Sequence, residues 1–236
     1  MPKKRECVIC LKDWGVCALQ AGATMLVRPM NPQPSAGVRL SVFSESGYED
    51  GHGSEITCPY GSPGDTLLCK EAYAIESGCV HEPMPHNDGR PVRKSDMDGD
   101  DCERWWQAHY RATDPMPALM CEHEDCAGDP CSHPWRSART MPRWAVRHKL
   151  TVVSVRAVSL LEITELEAAA TGMYRIGSEW VAPGVMMTCV DGTTAIDWPC
   201  HYSALGAFKS RWDDDWDKRG LGWWEKPWVW LCEVKV

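Results

Sequence analysis

The stretch Trp135–Gly172, WRSARTMPRWAVRHKLTVVSVRAVSLLEITELEAAATG, contains a basic loop, a strand and a capped helix in succession. Its middle part, Leu150–Val158, is the least interrupted β-like run of the chain, with apolar residues at both alternating sets of positions. Such a run predicts a strand that is covered on both faces. The capping box Thr164-Glu-Leu-Glu167 follows, and Gly172 stands where a helix ends, so we predict a helix from about Glu165 to Thr171.

The same patterns predict further elements outward from this stretch. Alternation and β-branched or aromatic content predict strands at Glu6–Leu11, Thr24–Val27, Val38–Phe43, Thr66–Tyr73, Trp180-Val181, Val185–Val190 and Pro227–Val236. Helical spacing of apolar residues predicts helices at Trp14–Ala21, Cys102–Ala112 and Ala204–Asp217. Ser44–Ser54 has the composition of a polar, Gly-rich loop, and Pro63-Gly64-Asp65 is a turn signal. Residues 76–134 and 173–200 otherwise lack periodicity, so we predict one domain over residues 1–236 with two irregular insertions.

Composition limits the classes of function. The chain has 236 residues and a formal net charge of −8, which argues against a non-specific nucleic-acid coat protein but allows a local basic face. We find no signal peptide and no membrane span, because Glu6–Ala23 is too short and too polar for either. We therefore expect a cytoplasmic protein whose 13 cysteines are reduced thiols or metal ligands.

The cysteines and histidines of the first insertion form the clearest pattern for metal binding. Residues 121–133 read CEHEDCAGDPCSH and offer soft ligands enough for a tetrahedral zinc ion. We name as candidate zinc ligands Cys121, Cys126, Cys131 and His133. Alternative ligands are Cys79, His81, Cys102 and His109. A structural zinc that orders the loop and a solvated acidic loop with unligated cysteines are both open.

Basic residues are concentrated where acidic residues are missing. No Asp or Glu occurs between Asp129 and Glu162, although the chain as a whole is acidic. Guanidinium groups bind phosphate, and an exposed Trp can stack on a base, so the segment predicts an anion-binding face. We name as its candidate residues Arg28, Arg136, Arg139, Arg143, Arg147 and Lys149. The alternative is that Trp144 belongs to the core and the arginines pair with acids; for Trp144 alone we favour the core, and for Glu71 a salt bridge with one of these arginines.

Several short motifs occur in a fixed order along the chain. They are Cys58-Pro-Tyr-Gly with Pro63-Gly64-Asp65, Lys70-Glu71, Met141-Pro-Arg-Trp-Ala145, and Gly220-x-Gly222-Trp with Pro227-Trp-Val-Trp230. In this order the chain resembles the ASCH-domain proteins of many bacteriophages, members of the PUA-like superfamily. The resemblance implies an α+β fold, a small mixed β-barrel with packed helices and a cleft that faces RNA, DNA or a nucleoside. Members are regarded as nucleic-acid binders, some are amidohydrolases of N-acetylated cytidine, and the wider family includes ribonucleases.

The enzymatic members of that family use a Lys, a Thr three residues later and a Glu at the end of the helix after the central strand. In this chain Ala23 stands at the Lys position and Leu26 at the Thr position, while Arg28 is kept. Thr171 stands at the Glu position. The resemblance therefore favours a binding protein that has lost the amidohydrolase residues.

Three hypotheses follow. The first is a phage-type protein of the host cytoplasm that binds RNA, DNA or a modified nucleoside. The second is a hydrolase of amidohydrolase or ribonuclease type that uses relocated residues, with Thr24, Lys12 and Glu71 as candidates. The third is an interaction protein that docks its acidic body on a basic host factor, with residues 76–134 as the contact.

Overall fold

The structure is a computed structural model, and it describes residues 4–42, 47–79, 91–94, 104–114, 135–183, 187–188, 194–195 and 201–235. The α-helices within these ranges are α1 (Asp13–Gln20), α2 (Glu165–Ala170) and α3 (Ala204–Trp216). The strands are β1 (Glu6–Cys10), β2 (Met25–Pro29), β3 (Val38–Leu40), β4 (Tyr48–Asp50), β5 (Thr66–Lys70), β6 (Tyr73–Cys79), β7 (Val92–Lys94), β8 (Arg104–Tyr110), β9 (His148–Ser159), β10 (Tyr174–Ile176), β11 (Glu179–Val181), β12 (Met187–Thr188), β13 (Thr194–Ala195) and β14 (Trp228–Lys235). None of the helices described is long and apolar enough to cross a membrane.

The largest sheet is centred on the strand predicted from the apolar run. Its order is β1-β5-β9-β14-β2, which puts β9 in the middle. Strand β14 runs antiparallel to β9 from Trp228↔Ser159 to Lys235↔Thr151, with an irregularity between Glu233 and Val234. On its other side β14 runs antiparallel to β2. The predictions of strands at Leu150–Val158 and Pro227–Val236 are therefore confirmed.

The two long strands differ in how well their faces are covered. Residues 229 to 232 of β14 are all buried, so both faces of this strand lie in the core. On β9, Leu150 and Val152 are buried, but Val153 is 41% exposed. The prediction that both faces of β9 are covered is wrong at Val153, because an apolar run gives only the propensity for a strand and not the elements that cover it.

The fold class is α+β with a core made mostly of sheet. A closed barrel would require its edge strands to pair with each other. In the part of the chain that the structure describes, β1 and β2 are the two edges of an open sheet and no closed barrel is formed. The smaller sheets are β6-β8-β7, β3-β4, β10-β11 and β12-β13.

The described residues divide into two compact units. Unit 1 comprises Met1–Cys7, Cys17–Leu67 and Leu150–Val236, and unit 2 comprises Val8–Val16 and Leu68–Lys149. The prediction of one domain with two insertions stays a prediction.

In unit 1, two capped helices pack against each other. Thr164 and Glu167 form the capping box of α2, as the sequence predicts. Helix α3 begins after Ser203, whose side chain accepts a hydrogen bond from the Gly206 N–H. Its apolar face is buried, and the rings of Phe208 and Trp223 meet edge to face with centroids 6.3 Å apart. The predictions of both helices are confirmed, because their apolar spacing and caps agree with each other.

In unit 2, a buried sheet replaces a predicted helix. Residues Arg104–Tyr110 form β8, which pairs antiparallel with β6 from Tyr73↔Tyr110 to Cys79↔Arg104. The prediction of a helix at Cys102–Ala112 is wrong for these residues. The run RWWQAHY is short enough to fit both periods, and its aromatic residues favour a strand. The described parts of residues 76–134 therefore contain regular strands, contrary to the prediction of an irregular insertion.

Gly172 ends α2 at a place where a side chain cannot be accommodated. Its φ is +97°, and a Cβ at this position would lie 2.6 Å from the Ala18 Cβ and 3.1 Å from the Ala18 Cα. We expect Gly172→Ala to lower the free energy of unfolding by more than about 2 kcal/mol, since backbone strain and overpacking add. Urea denaturation followed by circular dichroism measures this loss.

Gly177→Ala is the matched control for this variant. Gly177 also has a positive φ, +61°, but a Cβ there would meet no atom within 4 Å. We expect a loss of about 1 kcal/mol from strain alone. Equal losses for the two variants would show that the close approach of Gly172 to Ala18 carries no energetic cost.

Candidate functional site

The basic segment, residues 135–149, consists of a loop of unit 2 and the first two residues of β9, and apolar side chains anchor the loop in the core. It contains two 3₁₀ turns, Ala138–Thr140 and Arg143–Ala145. Met141 and Ala145 are buried in one hydrophobic cluster together with Leu68 and Tyr110. Trp144 packs against the same cluster while partly buried, which confirms the prediction that it belongs to the core. The Met141–Ala145 motif is therefore a structural anchor of the loop.

Hydrogen bonds from strand residues fix the backbone of the basic segment. The Tyr73 hydroxyl donates to the Thr140 carbonyl at 2.8 Å, and the Tyr110 hydroxyl donates to the Ala145 carbonyl at 2.7 Å. The Arg136 N–H donates to the Tyr73 carbonyl at 2.6 Å, and the Tyr73 N–H returns a bond of 3.2 Å. A loop with this many backbone bonds to a sheet loses little conformational entropy when it binds a ligand.

Glu71 and Arg147 form a buried ion pair beneath the segment. Nε and Nη2 of Arg147 each donate to a carboxylate oxygen of Glu71 at 2.8 Å, and the Glu71 side chain is 1% exposed. The guanidinium also lies 4.0 Å from the ring centroid of Tyr110. The predicted salt bridge is confirmed. Burial raises the pKa of Glu71, and the neighbouring Arg147 opposes that rise.

The ion pair changes the roles expected of both residues. Each oxygen of Glu71 accepts a bond from Arg147, so this carboxylate is already occupied and is not placed to take a proton from a substrate. Arg147 neutralises a buried acid, whereas the anion-binding hypothesis placed it on the surface. The other basic side chains of the segment are exposed, namely Arg136, Arg139, Arg143 and Lys149. Arg28 lies on β2 in unit 1 and is partly buried.

The positions at which the family resemblance places catalytic groups lie close together in unit 1. The Thr24 N–H donates to the Ala170 carbonyl at 3.0 Å, which joins the loop after α1 to the end of α2. Ala23 and Leu26 are buried. The Thr171 hydroxyl is buried and donates to the Ala168 carbonyl at 2.7 Å. The Thr24 side chain is exposed.

The remaining candidates for catalysis or metal binding belong to different units or lie outside the described residues. Lys12 is exposed and belongs to unit 2, whereas Thr24 belongs to unit 1. His109, an alternative metal ligand, is buried with its Nε2 2.8 Å from a Glu76 oxygen. The proposed zinc ligands lie outside the described residues, and so do His81 and Cys102. Within the described ranges there is no group of three or more His, Cys, Asp or Glu residues that could hold a metal.

Unit 1 contains a cleft of ≈ 390 Å³, large enough for a small ligand. The rings of Tyr48 and Trp230 meet edge to face at 5.6 Å, and the Tyr48 hydroxyl donates to the Val155 carbonyl at 3.1 Å. The lining is completed by Arg5, Glu55, Thr57, Cys58, Gly61, Ser62 and Pro63.

The predicted turn at Pro63-Gly64-Asp65 shapes one wall of this cleft. The Asp65 carboxylate accepts hydrogen bonds from the Arg5 N–H and the Ser62 N–H, each at 3.0 Å. These two bonds lower the pKa of Asp65. The sequence does not predict the cleft, because Tyr48 lies in a segment with the composition of a loop. Tyr48 within the Gly-rich stretch Ser44–Ser54 is an aromatic residue, which favours a strand, and it is the one feature of this stretch that indicates the β3-β4 hairpin.

The Glu71–Arg147 pair is testable by a double-mutant cycle. We expect Glu71→Leu and Arg147→Leu each to lower the free energy of unfolding by about 3 kcal/mol, because each leaves an unpaired charge in the interior. The double variant should be more stable than the sum of the losses predicts, with a coupling energy of about 2 kcal/mol. Urea denaturation gives all four stabilities.

The exposed pair Arg39–Glu49 is the control for this cycle. Its charged atoms lie 3.4 Å apart and the Arg39 side chain is 59% exposed. Solvent screening should keep its coupling energy below about 1 kcal/mol. Additive losses at Glu71 and Arg147 would contradict the buried pair.

Comparison with known proteins identifies no relative of this chain. The chain matches no protein-family model, no curated protein and no solved structure. The candidate sites therefore have to be judged on their own geometry and chemistry.

Proposed function

We propose that this chain is an ASCH-like, PUA-like protein that binds RNA, DNA or a modified nucleoside through the basic segment, and that it lacks the family's amidohydrolase activity. The observation that carries the proposal is the exposure of Arg136, Arg139 and Arg143 on a loop whose backbone is fixed by buried anchors, with the exposed Lys149 on β9 directly after it. The motifs quoted above support the family assignment, and the α+β class is compatible with it.

Guanidinium groups on a fixed backbone are suited to phosphate. A guanidinium presents a planar fork of donors that matches two phosphate oxygens, and a fixed backbone keeps the attachment points of such side chains close together before the ligand arrives. The net charge of −8 means that the rest of the chain repels a polyanion. Binding must therefore be local, and an acid-free segment is the arrangement that allows it.

The hydrolase hypothesis receives less support from the geometry. Thr171 donates its hydroxyl to a carbonyl within its own helix end, and Glu71 is paired with Arg147. Ala23 and Leu26 carry no group that could act as base or nucleophile. We therefore do not assign a catalytic role to Thr24, Lys12 or Glu71.

The proposal is tested by fluorescence anisotropy with labelled single- and double-stranded RNA and DNA. We expect binding at low salt that weakens steeply as salt rises, because phosphate contacts release counterions. In the triple variant Arg136→Gln, Arg139→Gln, Arg143→Gln, the negative slope of log K against log salt should become shallower by about 2 to 3, which is near 0.9 for each lost phosphate contact.

A charge-matched control separates local binding from the effect of net charge. The triple variant Arg175→Gln, Lys218→Gln, Arg219→Gln removes the same charge from exposed residues of unit 1. Its salt slope should equal that of the unchanged protein. Equal losses in the two variants would reject the basic segment as the site, and no binding to any nucleic acid or modified nucleoside at low salt would reject the function. Capture of a protein from host lysate by the unchanged chain, compared with a variant that lacks residues 115–134 and keeps β6, β7 and β8, tests the interaction-protein hypothesis.

A further inference from the structure

Two thiols lie together at the cleft of unit 1, and the proposed function uses neither. Cys58 lines the cleft, and Cys232 is near enough for each thiol to change the pKa of the other. Cys232 lies two residues after Trp230 on β14 and opposite Val155 on β9. Because Trp230 and Val155 both line the cleft and side chains two residues apart share a face, sheet geometry independently places Cys232 on the cleft side.

The two thiols have different surroundings. Cys58 is partly exposed, whereas Cys232 is 1% exposed. The Cys232 thiol and the Tyr60 N–H both donate hydrogen bonds to the Cys58 sulfur, and they lower the pKa of Cys58. The hydrogen bond to Cys58 raises the pKa of Cys232, and burial raises it further. A thiolate is the reactive form of cysteine, so the more accessible Cys58 is the candidate nucleophile of the pair. Cys232 is then the second thiol, which is available to react with oxidised Cys58.

We propose that Cys58 and Cys232 are a peroxide-sensitive dithiol pair, in which Cys58 is oxidised first and Cys232 resolves the product as a disulfide. The Cys58 thiolate attacks one oxygen of hydrogen peroxide, the O–O bond breaks, and a sulfenic acid and hydroxide form. The Cys232 sulfur then attacks the Cys58 sulfur, the S–O bond breaks, and the disulfide and water form. The proton of Cys232 leaves in this water, and the hydroxide of the first step takes up the proton that Cys58 lost on ionisation, so two thiols are oxidised and one peroxide is reduced to two waters.

Three other described cysteines differ from Cys58 in access, position or charge surroundings. Cys69 is buried, and Cys10 is exposed but does not line the cleft. Cys7 is close to the cleft wall, because a Cβ on Gly61 would lie 3.3 Å from its sulfur. Burial raises the pKa of Cys7, and the charges of Asp65 and Cys58 raise it further, so its thiolate is disfavoured. Cys7 is therefore the competing thiol that a test must exclude.

The test is peptide mapping of the folded, full-length protein after brief treatment with hydrogen peroxide and alkylation of the remaining thiols. Trypsin places Cys58 in residues 40–70, which also contain Cys69, and Cys232 in residues 220–235. We expect a cross-linked pair of these peptides, two hydrogens lighter than their sum, that thiol reductant separates. Fragmentation of the cross-linked species assigns the bond to Cys58 or to Cys69.

Variants assign the order of the two steps. In Cys58→Ser the cross-link should be lost completely, and Cys232 should be recovered alkylated after denaturation. In Cys232→Ala the sulfenic acid should persist at Cys58 and be trapped by a cyclic 1,3-diketone. Cys7→Ser and Cys10→Ser should retain the cross-link of the unchanged protein. The proposal is overturned if the unchanged protein yields Cys58 and Cys232 in unlinked peptides after oxidation of another cysteine, or if the cross-link involves Cys7.

Discussion

The ion pair between Glu71 and Arg147 is the interaction on which the described part of unit 2 depends. A carboxylate with 1% exposure needs a cation and full hydrogen bonding, and Arg147 supplies both. The same guanidinium packs on Tyr110, whose hydroxyl holds the Ala145 carbonyl. The need to neutralise the buried Glu71 carboxylate thus positions the end of the basic segment. The other arginines of the segment, Arg136, Arg139 and Arg143, are exposed.

The parts of the fold that the sequence predicts are those in which local signals agree. Strand β9 and the capped helix α2 combine clear periodicity with a recognisable end, so their bounds agree with the prediction to within about two residues. At Arg104–Tyr110 two periods fit equally well, and pairing with β6, a tertiary contact, determines the strand. The predicted strand Thr66–Tyr73 is interrupted at Glu71 and Ala72, and the burial of Glu71 depends on Arg147, which is distant in the sequence.

The candidate sites also differ in whether local sequence or tertiary contacts bring their residues together. The basic segment is visible in the sequence because its residues are neighbours, and so is the bridge expected between Glu71 and an arginine. The cleft is not visible, because Tyr48, Cys58, Val155 and Trp230 come from four separate parts of the chain, and only Val155 and Trp230 lie on strands that pair with each other. The sequence shows which side chains carry charge, but it does not show which thiols are adjacent.

The pairing of β2 with β14 has a consequence for how the protein is made. Residues 25–29 form their ladder with residues 229–233, about 200 positions later in the chain. Loop closure over such a distance slows folding, and during synthesis the edge of β2 stays unpaired until β14 has left the ribosome. Leu26 and Val27 therefore lack their strand partner for most of translation.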